Sequence, residues 1–243
     1  MIYAILMIAL LLTVVSAVRA RTIALRAVPA YRALQETIGA TVESGRSVHV
    51  SLGSSALLDE SALTAVASAE LLYQAAARAS GGDLPVTASL SDPVTLSLAQ
   101  DRLRRAYLLR NRLDAFKPTL ARWYPSGTSS LALAAGAGAT LLDEESGLAL
   151  LCGRFGAELA LIAETAIRYD RSLLPHSSQI EGQAVAYAAS ATPLLAEELF
   201  VSAAYLEPTP LHIGGAAAQD ALRYLVVIAL ILLAALAFIG VSL

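Results

Sequence analysis

Hydrophobic positions along this chain fall into two regimes. Residues 1–18 (MIYAILMIALLLTVVSAV) and 224–243 (YLVVIALILLAALAFIGVSL) are apolar almost throughout and carry no charged side chain. Between them, short apolar runs alternate with longer stretches in which apolar residues recur at helical spacing. The short runs predict strands at 47–51 (SVHVS), 85–90 (PVTASL), 119–124 (TLARWY), 147–152 (GLALLC), 171–175 (RSLLP) and 191–196 (ATPLLA). The longer ones predict helices near 30–44, 60–80, 93–114, 128–144, 158–169, 178–189 and 197–206. Strands alternating with helices imply right-handed crossovers and a parallel sheet covered on both faces. The expected fold class is therefore α/β, a Rossmann-like, doubly wound and mostly parallel sheet of about six strands. The strands at 47–51 and 147–152 should be central. Pro175 and Pro193 place the last two nearer an edge or a strand end.

Local chemistry marks several helix ends. Asp92 before Pro93 is an N-cap followed by proline at the first helical position. Ser178 with Glu181 fits a capping box. Gly81-Gly82 suits a left-handed end to the second helix. Pro208 and Pro210 stop the helix before them, and Gly214-Gly215 allow a bend.

The two end runs would span roughly 27 and 30 Å as helices, enough for a bilayer core of about 30 Å. A cleaved signal peptide would carry basic residues before its apolar run and an A-x-A site after it. Here the positive charge follows the run, which favours an uncleaved anchor. Arg19, Arg21, Arg26 and Arg32 follow the first run, and Arg223 precedes the second. Basic flanks stay in the cytoplasm. The expected organisation is a transmembrane helix at 1–18 and a basic juxtamembrane connector at 19–32. A cytoplasmic α/β domain at 33–207 and a connector at 208–223 follow. A second transmembrane helix at 224–243 completes it, flanking the domain with spans on both sides. Both termini would face outward across a cell (inner) membrane, with Tyr224 as an interface anchor. Residues 216–223 would begin the second membrane helix on its cytoplasmic side.

Composition narrows the chemistry. The chain has 243 residues, 56% hydrophobic and 15% charged, with a formal net charge of −3. That is too apolar for an ordinary soluble domain, and too weakly charged for a nucleic-acid footprint. Cys152 is the sole cysteine, so no disulfide framework or cysteine-zinc site forms within one chain. There is no G-K-[ST] phosphate loop, no G-x-S-x-G elbow and no HExxH. No metal ligand set and no cofactor is expected, and the balance leans away from an enzyme. His49 lies mid-strand and reads as a satisfied core histidine. His176 follows the fifth strand and Cys152 ends the fourth, so a Cys–His pair forms only if those strands are neighbours. Cysteines in apolar runs are, however, usually inert. Asp143-Glu144-Glu145 reads as a solvated helix end. Gly136 and Gly138 fall inside a helical pattern and read as close helix packing. The arginines of the third helix (102, 104, 105, 110 and 112) suit either solvent, an acidic partner or anionic lipid headgroups.

In an open α/β sheet, ligands sit beyond the carboxyl ends of the strands where the strand order reverses. With order 3-2-1-4-5-6, the loops after the first and fourth strands share that crevice. Its candidate ligand-binding residues are Gly53, Ser54 and Ser55 with Gly153, Arg154 and Gly156. The dinucleotide fingerprint is absent, because only one glycine follows the first strand. Asp59 and Glu60 near the next helix start would repel a phosphate there. Arg154 could instead hold an anion, or simply face solvent.

The stretches VHVSLGSS, SDPVTLSLAQDRLRRAY, GRFGAELALIAE, AEELFVSAAYL and AQDALRYL resemble a family associated with green non-sulfur bacteria. Its members have an N-terminal anchor, a Rossmann-like middle and a C-terminal anchor, and are described as a domain of unknown function. The resemblance spans nearly the whole chain; it implies architecture and supplies no active site. The expected role is a membrane-anchored, non-catalytic scaffold or assembly protein, a homo-oligomer or part of a larger membrane complex, with the lipid bilayer as its other partner. The alternative is a small-ligand or nucleotide-binding domain, or a degenerate enzyme, that uses the crevice.

Overall fold

In a computed structural model of the chain, residues 7, 12–16, 18, 25–125, 130–143 and 145–238 are described, with side chains described up to 231. The chain divides into two units, residues 28–206 and the segments 1–27 with 207–243.

The first unit is built on β1 (Ser47–Gly53), β2 (Thr87–Leu90), β3 (Ala121–Trp123), β4 (Ser146–Arg154), β5 (Ser172–Ser177) and β6 (Leu194–Leu195). These six strands form one sheet in the order β3-β2-β1-β4-β5-β6. Every pairing is parallel. Each strand predicted from the apolar runs is present. β4 shows why: all but its last residue is buried, as expected of a central strand covered on both faces. Its side chains alternate between two cores. Leu148, Leu150 and Cys152 join one; Ala149 and Leu151 join the other.

Helices α1 (Pro29–Glu43), α2 (Ala62–Ala79) and α3 (Pro93–Leu109) cover the first face, together with the short α7 (Ser202–Leu206). Helices α4 (Leu131–Leu141), α5 (Leu159–Arg168) and α6 (Ile180–Ala189) cover the second. The sheet is therefore doubly wound, and its order reverses between β1 and β4. That reversal is the topological switch point.

Some local expectations need correction. The Asp92 cap is present, its carboxylate accepting from the Thr95 N–H at 2.6 Å. Ser178 and Glu181 form no capping box. The N-cap of α6 is Gln179, whose own N–H donates to Ser177 Oγ at 3.0 Å, one residue upstream of the predicted cap. α2 ends at Ala79 with Ser80 as its cap, and neither Gly81 nor Gly82 has a positive φ. The expected helix at 197–206 starts as a 3₁₀ turn, Ala196–Val201, before α7. Domain edges also shift. Residues 19–32 are expected as a connector, yet Val28, Ala30 and Tyr31 are in the core. They are held there because α1 starts at Pro29, and Tyr31 stacks on Tyr205 with ring centroids 4.9 Å apart.

The second unit contains α8, which runs without interruption from Pro210 to Phe238. The expected connector at 208–223 is thus mostly helix. Pro210 sits at its first turn, where a missing N–H is harmless, and Gly214 and Gly215 are accommodated within it. Among the described residues, one helix, Pro210–Ile231, is long and apolar enough to cross a membrane. All side chains from position 223 to 231 are exposed. The expected span at 1–18 lies outside the described residues apart from positions 7, 12–16 and 18, which are helical. Arg19 and Arg21 lie outside them too.

Candidate functional site

Beyond the carboxyl ends of β1, β2, β4 and β5 lies an open crevice of about 490 Å³. The predicted site residues do meet here, because β1 and β4 are neighbours and Gly53 is in register with Arg154. Only Ser54, Arg154 and Gly156 of the six line the cavity. Gly53, Ser55 and Gly153 lie in the strand ends and the turn that shape it.

The glycine corner is a latch between two strand ends. Ser54 donates twice to the Arg154 carbonyl, from its N–H at 2.9 Å and its hydroxyl at 3.0 Å. Ser55 Oγ accepts from the Arg154 N–H at 2.8 Å, and the Ser55 carbonyl accepts from Thr95 Oγ1 at 3.1 Å. Atoms that would cradle a phosphate in a nucleotide-binding loop are already engaged within the chain.

Charge points the same way. The cavity wall holds Asp59, Asp92, Glu158 and Glu181 against a single cation, Arg154. The Arg154 guanidinium pairs with Asp59 at 3.4 Å and Glu60 at 3.1 Å. Hydrogen bonds from the Ser61 side chain and backbone hold the Asp59 carboxyl below the usual carboxylate range, with Arg154 adding a smaller effect. Helix starts around the crevice carry their own carboxylates. Asp92 caps α3, Glu158 stands at the N-cap of α5, and Glu181 lies in the first turn of α6. A helix start attracts anions, but here the attraction is met from within. The crevice therefore disfavours phosphates and favours polar or cationic groups.

Other candidate chemistry is resolved by packing. His49 is buried, with Nδ1 2.9 Å from Thr87 Oγ1 and Nε2 3.0 Å from Ser89 Oγ. It is a satisfied core histidine, as its place in the strand implied. Cys152 and His176 lie on neighbouring strands, but they form no hydrogen bond. Cys152 Sγ points to the Ser68 carbonyl at 3.9 Å, and His176 Nε2 lies 3.0 Å from the Ala196 carbonyl. Burial pushes the Cys152 thiol far above its ordinary range and holds His176 down to about 4. A nucleophilic dyad needs the opposite shifts. Cys152 should thus resist maleimide in the native protein and react within minutes in denaturant. Mass spectrometry of labelled protein checks this, and fast native labelling would contradict the packing.

The arginine-rich helix has a structural role. Arg102 pairs with Glu70 at 3.2 Å and Arg105 with Asp101 at 2.8 Å. Arg110 donates to the Ala77 carbonyl at 2.8 Å, and Arg112 to the Gly82 carbonyl at 2.6 Å. Arg110 thus satisfies a carbonyl in the last turn of α2, where cations are favoured, and Arg112 one in the turn that follows that helix. Gly136 and Gly138 lie in α4. A Cβ on Gly136 would meet the Tyr124 ring at 2.1 Å, and one on Gly138 would touch Thr165 of α5 at 3.4 Å. Asp143 and Glu145 are exposed beyond the end of α4, at the amino-terminal edge of β4 and away from the crevice. Glu144 lies outside the described residues. Among the described residues, no group of three or more His, Cys, Asp or Glu side chains could hold a metal ion.

Sequence reasoning misses Ser91 and Gln179, which line the crevice. It places Glu158 in the loop after the fourth strand, and reads Asp92 and Glu181 only as helix caps. A signal existed: the ends of β2 and β5 flank the same switch point, so their loops border it too. Ser91 is 2% exposed, and among the described residues its hydroxyl, like those of Ser68, Ser80 and Ser146, has no hydrogen-bond partner. Comparison with known proteins finds one family model, Domain of unknown function (DUF6754), matching residues 1–243. No curated protein and no solved structure matches.

Proposed function

From a chain that belongs to the DUF6754 family, we propose a membrane-anchored small-ligand-binding protein whose crevice after β1 and β4 takes a polar ligand. One observation carries this reading. A cavity at the switch point, of the size that holds small molecules, is lined by polar and charged side chains from the loops after four strands, among them Asp59, Asp92, Arg154 and Glu181. Nucleotides are disfavoured by the carboxylates around it.

The anchoring proposal rests on α8 and the sequence. Two spans, 1–18 and 224–243, would hold the α/β unit on the cytoplasmic side of an inner membrane, with both termini outside. Arg19, Arg21, Arg26 and Arg223 on one side of the two spans support this orientation. Protease added to intact cells should then leave the α/β unit uncut, and should cut it in inverted vesicles; the reverse pattern overturns the topology.

For the crevice, the full chain in mild detergent is screened by thermal shift against amines, amino acids, sugars and nucleotides. A true ligand at 100 times its Kd adds about 2.7 kcal/mol of stability and raises Tm by about 5 °C or more. Gln179 lines the crevice and its side chain makes no cap hydrogen bond, so Gln179→Ala should weaken that ligand about fivefold, the value of one hydrogen bond. A screen with no stabilising compound overturns the reading.

A second reading, the non-catalytic scaffold, is favoured by the outer surface of α4 and α5. Leu131, Leu142 and Leu161 are about half exposed around an apolar groove of about 460 Å³. Exposed apolar surface of this kind marks contacts, here with further copies of the chain or a membrane complex. Light scattering in mild detergent separates the two readings. The scaffold requires an oligomer that Leu161→Arg disperses, whereas the ligand site requires only the monomer.

A further inference from the structure

We propose that the carboxyl-end face of the sheet is a docking surface for a partner polypeptide, which lays aliphatic side chains on the crevice rim and sends one lysine or arginine into the crevice. The proposal rests on the reading of the crevice as a site for polar or cationic groups, and makes that group part of a protein.

The rim carries it. Among the described residues of the α/β unit, the three most exposed large apolar side chains are Ile180 at 86%, Leu58 at 84% and Leu63 at 77%. All three stand at the same end of the fold. Ile180 opens α6, Leu63 lies in the first turn of α2, and Leu58 is in the turn before it. Helices of a parallel sheet start where the strands end, so these turns border the crevice. Chain neighbours fix the placement more closely. Leu58 precedes Asp59, and Ile180 lies between Gln179 and Glu181; all three polar residues line the cavity. Val94 follows Pro93 and Leu131 follows Ser130, two more residues of the wall, and both aliphatic side chains are exposed. Leu131 also lines the apolar groove of α4 and α5, so the aliphatic surface continues from the rim onto that groove.

An exposed leucine standing alone is ordinary. Aliphatic side chains gathered around one opening are not, because they add little to the unit's own core and hold apolar surface in water. Charge selects what covers them. The wall holds Asp59, Asp92, Glu158 and Glu181 against Arg154 alone, and Arg154 is engaged by Asp59 and Glu60. The centre of the apolar ring is therefore negative. It repels an anionic lipid surface and complements a basic side chain set among apolar ones. The long stems of lysine and arginine are themselves apolar, which suits passage over an aliphatic rim.

The test uses the full chain in phosphatidylcholine nanodiscs and a phage-displayed library of random dodecapeptides, with empty nanodiscs removing lipid binders. Selected peptides should share a lysine or arginine flanked by aliphatic residues. The leading peptide, synthesised, should bind about tenfold more weakly to the double variant Leu58→Ser and Ile180→Ser. Tm should not change, because both positions are exposed. Affinity should also fall as salt rises from about 50 to 500 mM. The docking surface is overturned if no peptide is enriched, if enriched peptides lack a basic residue, or if the double variant binds as well as the unchanged chain. A solvent-sensitive dye on Ile180→Cys examines lipid as the occupant, since Cys152 is buried. Emission should be solvent-like until peptide is added; a blue shift in nanodiscs alone puts the rim in lipid and overturns the proposal. An oligomer that the double variant disperses puts a second copy on the rim and overturns it too. If small polar or cationic compounds stabilise the chain while no peptide is enriched, docking fails and the crevice reading stands. If neither class binds, both fail.

Discussion

Gly53→Ala is expected to lower the unfolding free energy of the α/β unit by about 3 kcal/mol or more. Gly53 closes β1 with φ +66, a left-handed conformation that costs an L side chain about 1–2 kcal/mol. A Cβ there would also lie 2.3 Å from the Arg154 carbonyl oxygen. Backbone cannot swing aside as a flexible side chain can. Moreover, that carbonyl is the acceptor for both donors of Ser54, so displacing it disrupts the latch between β1 and β4. Gly45 supplies the control. It has φ +67 but open space around its Cβ position, so Gly45→Ala should carry only the conformational penalty of about 1–2 kcal/mol. Urea unfolding of the two variants measures the difference. Equal losses would show that the close approach of the two strands at the crevice contributes nothing.

Acidification is expected to produce the second large effect. Burial, aided by the charge of Arg122, holds His49 down to about 4. Burial likewise holds His176 down to about 4, against an opposing hydrogen bond to the Ala196 carbonyl. An unfolded histidine titrates near 6.5. Between roughly pH 6.5 and 4 the unfolded chain therefore binds protons that the folded chain refuses, and stability falls as pH falls. Above pH 6.5 the folded state has its full stability with respect to these two groups. At the acid end of the window the loss reaches about 3 kcal/mol for each histidine. Urea midpoints measured from pH 7.5 to 4.5 should fall steeply. The double variant His49→Gln and His176→Gln should flatten that slope, at some cost in stability at pH 7.5. A slope unchanged by the double variant would show that other groups govern acid unfolding.

Both effects are consequences of a sheet whose outline is readable from the chain. The central strands are legible because a strand buried on both faces must be apolar nearly throughout, as SGLALLCGR is in β4; the edge strand β3, with two of three residues exposed, is marked only by its place in the alternation. The reversal of strand order between β1 and β4 follows from the same alternation once the first three strands are wound one way and the last three the other. The gathering of Gly53, Ser54, Ser55, Gly153, Arg154 and Gly156 at one place was legible for that reason. Their partners were not. Whether Ser54 and Ser55 face a ligand or bond to Arg154 depends on a register between residues about 100 positions apart, which no local pattern encodes. The same is true of Arg110 and Arg112, which look like a basic surface in sequence and prove to satisfy the end of α2 and the turn after it. The Ser178 capping box failed through a one-residue shift, because Ser177 Oγ bonds to the Gln179 N–H and α6 starts later.

By itself, then, the sequence determined the six strands and most helices, the α/β class, the winding order and the uncharged C-terminal run from 224, because these follow from periodicity and solvation along a local stretch. Only the tertiary structure decided the character of the crevice. Loops after β1, β2, β4 and β5 converge there from distant parts of the chain. Their carboxylates outnumber the one arginine in its wall. Charge balance at a point is a sum over residues that only folding makes neighbours.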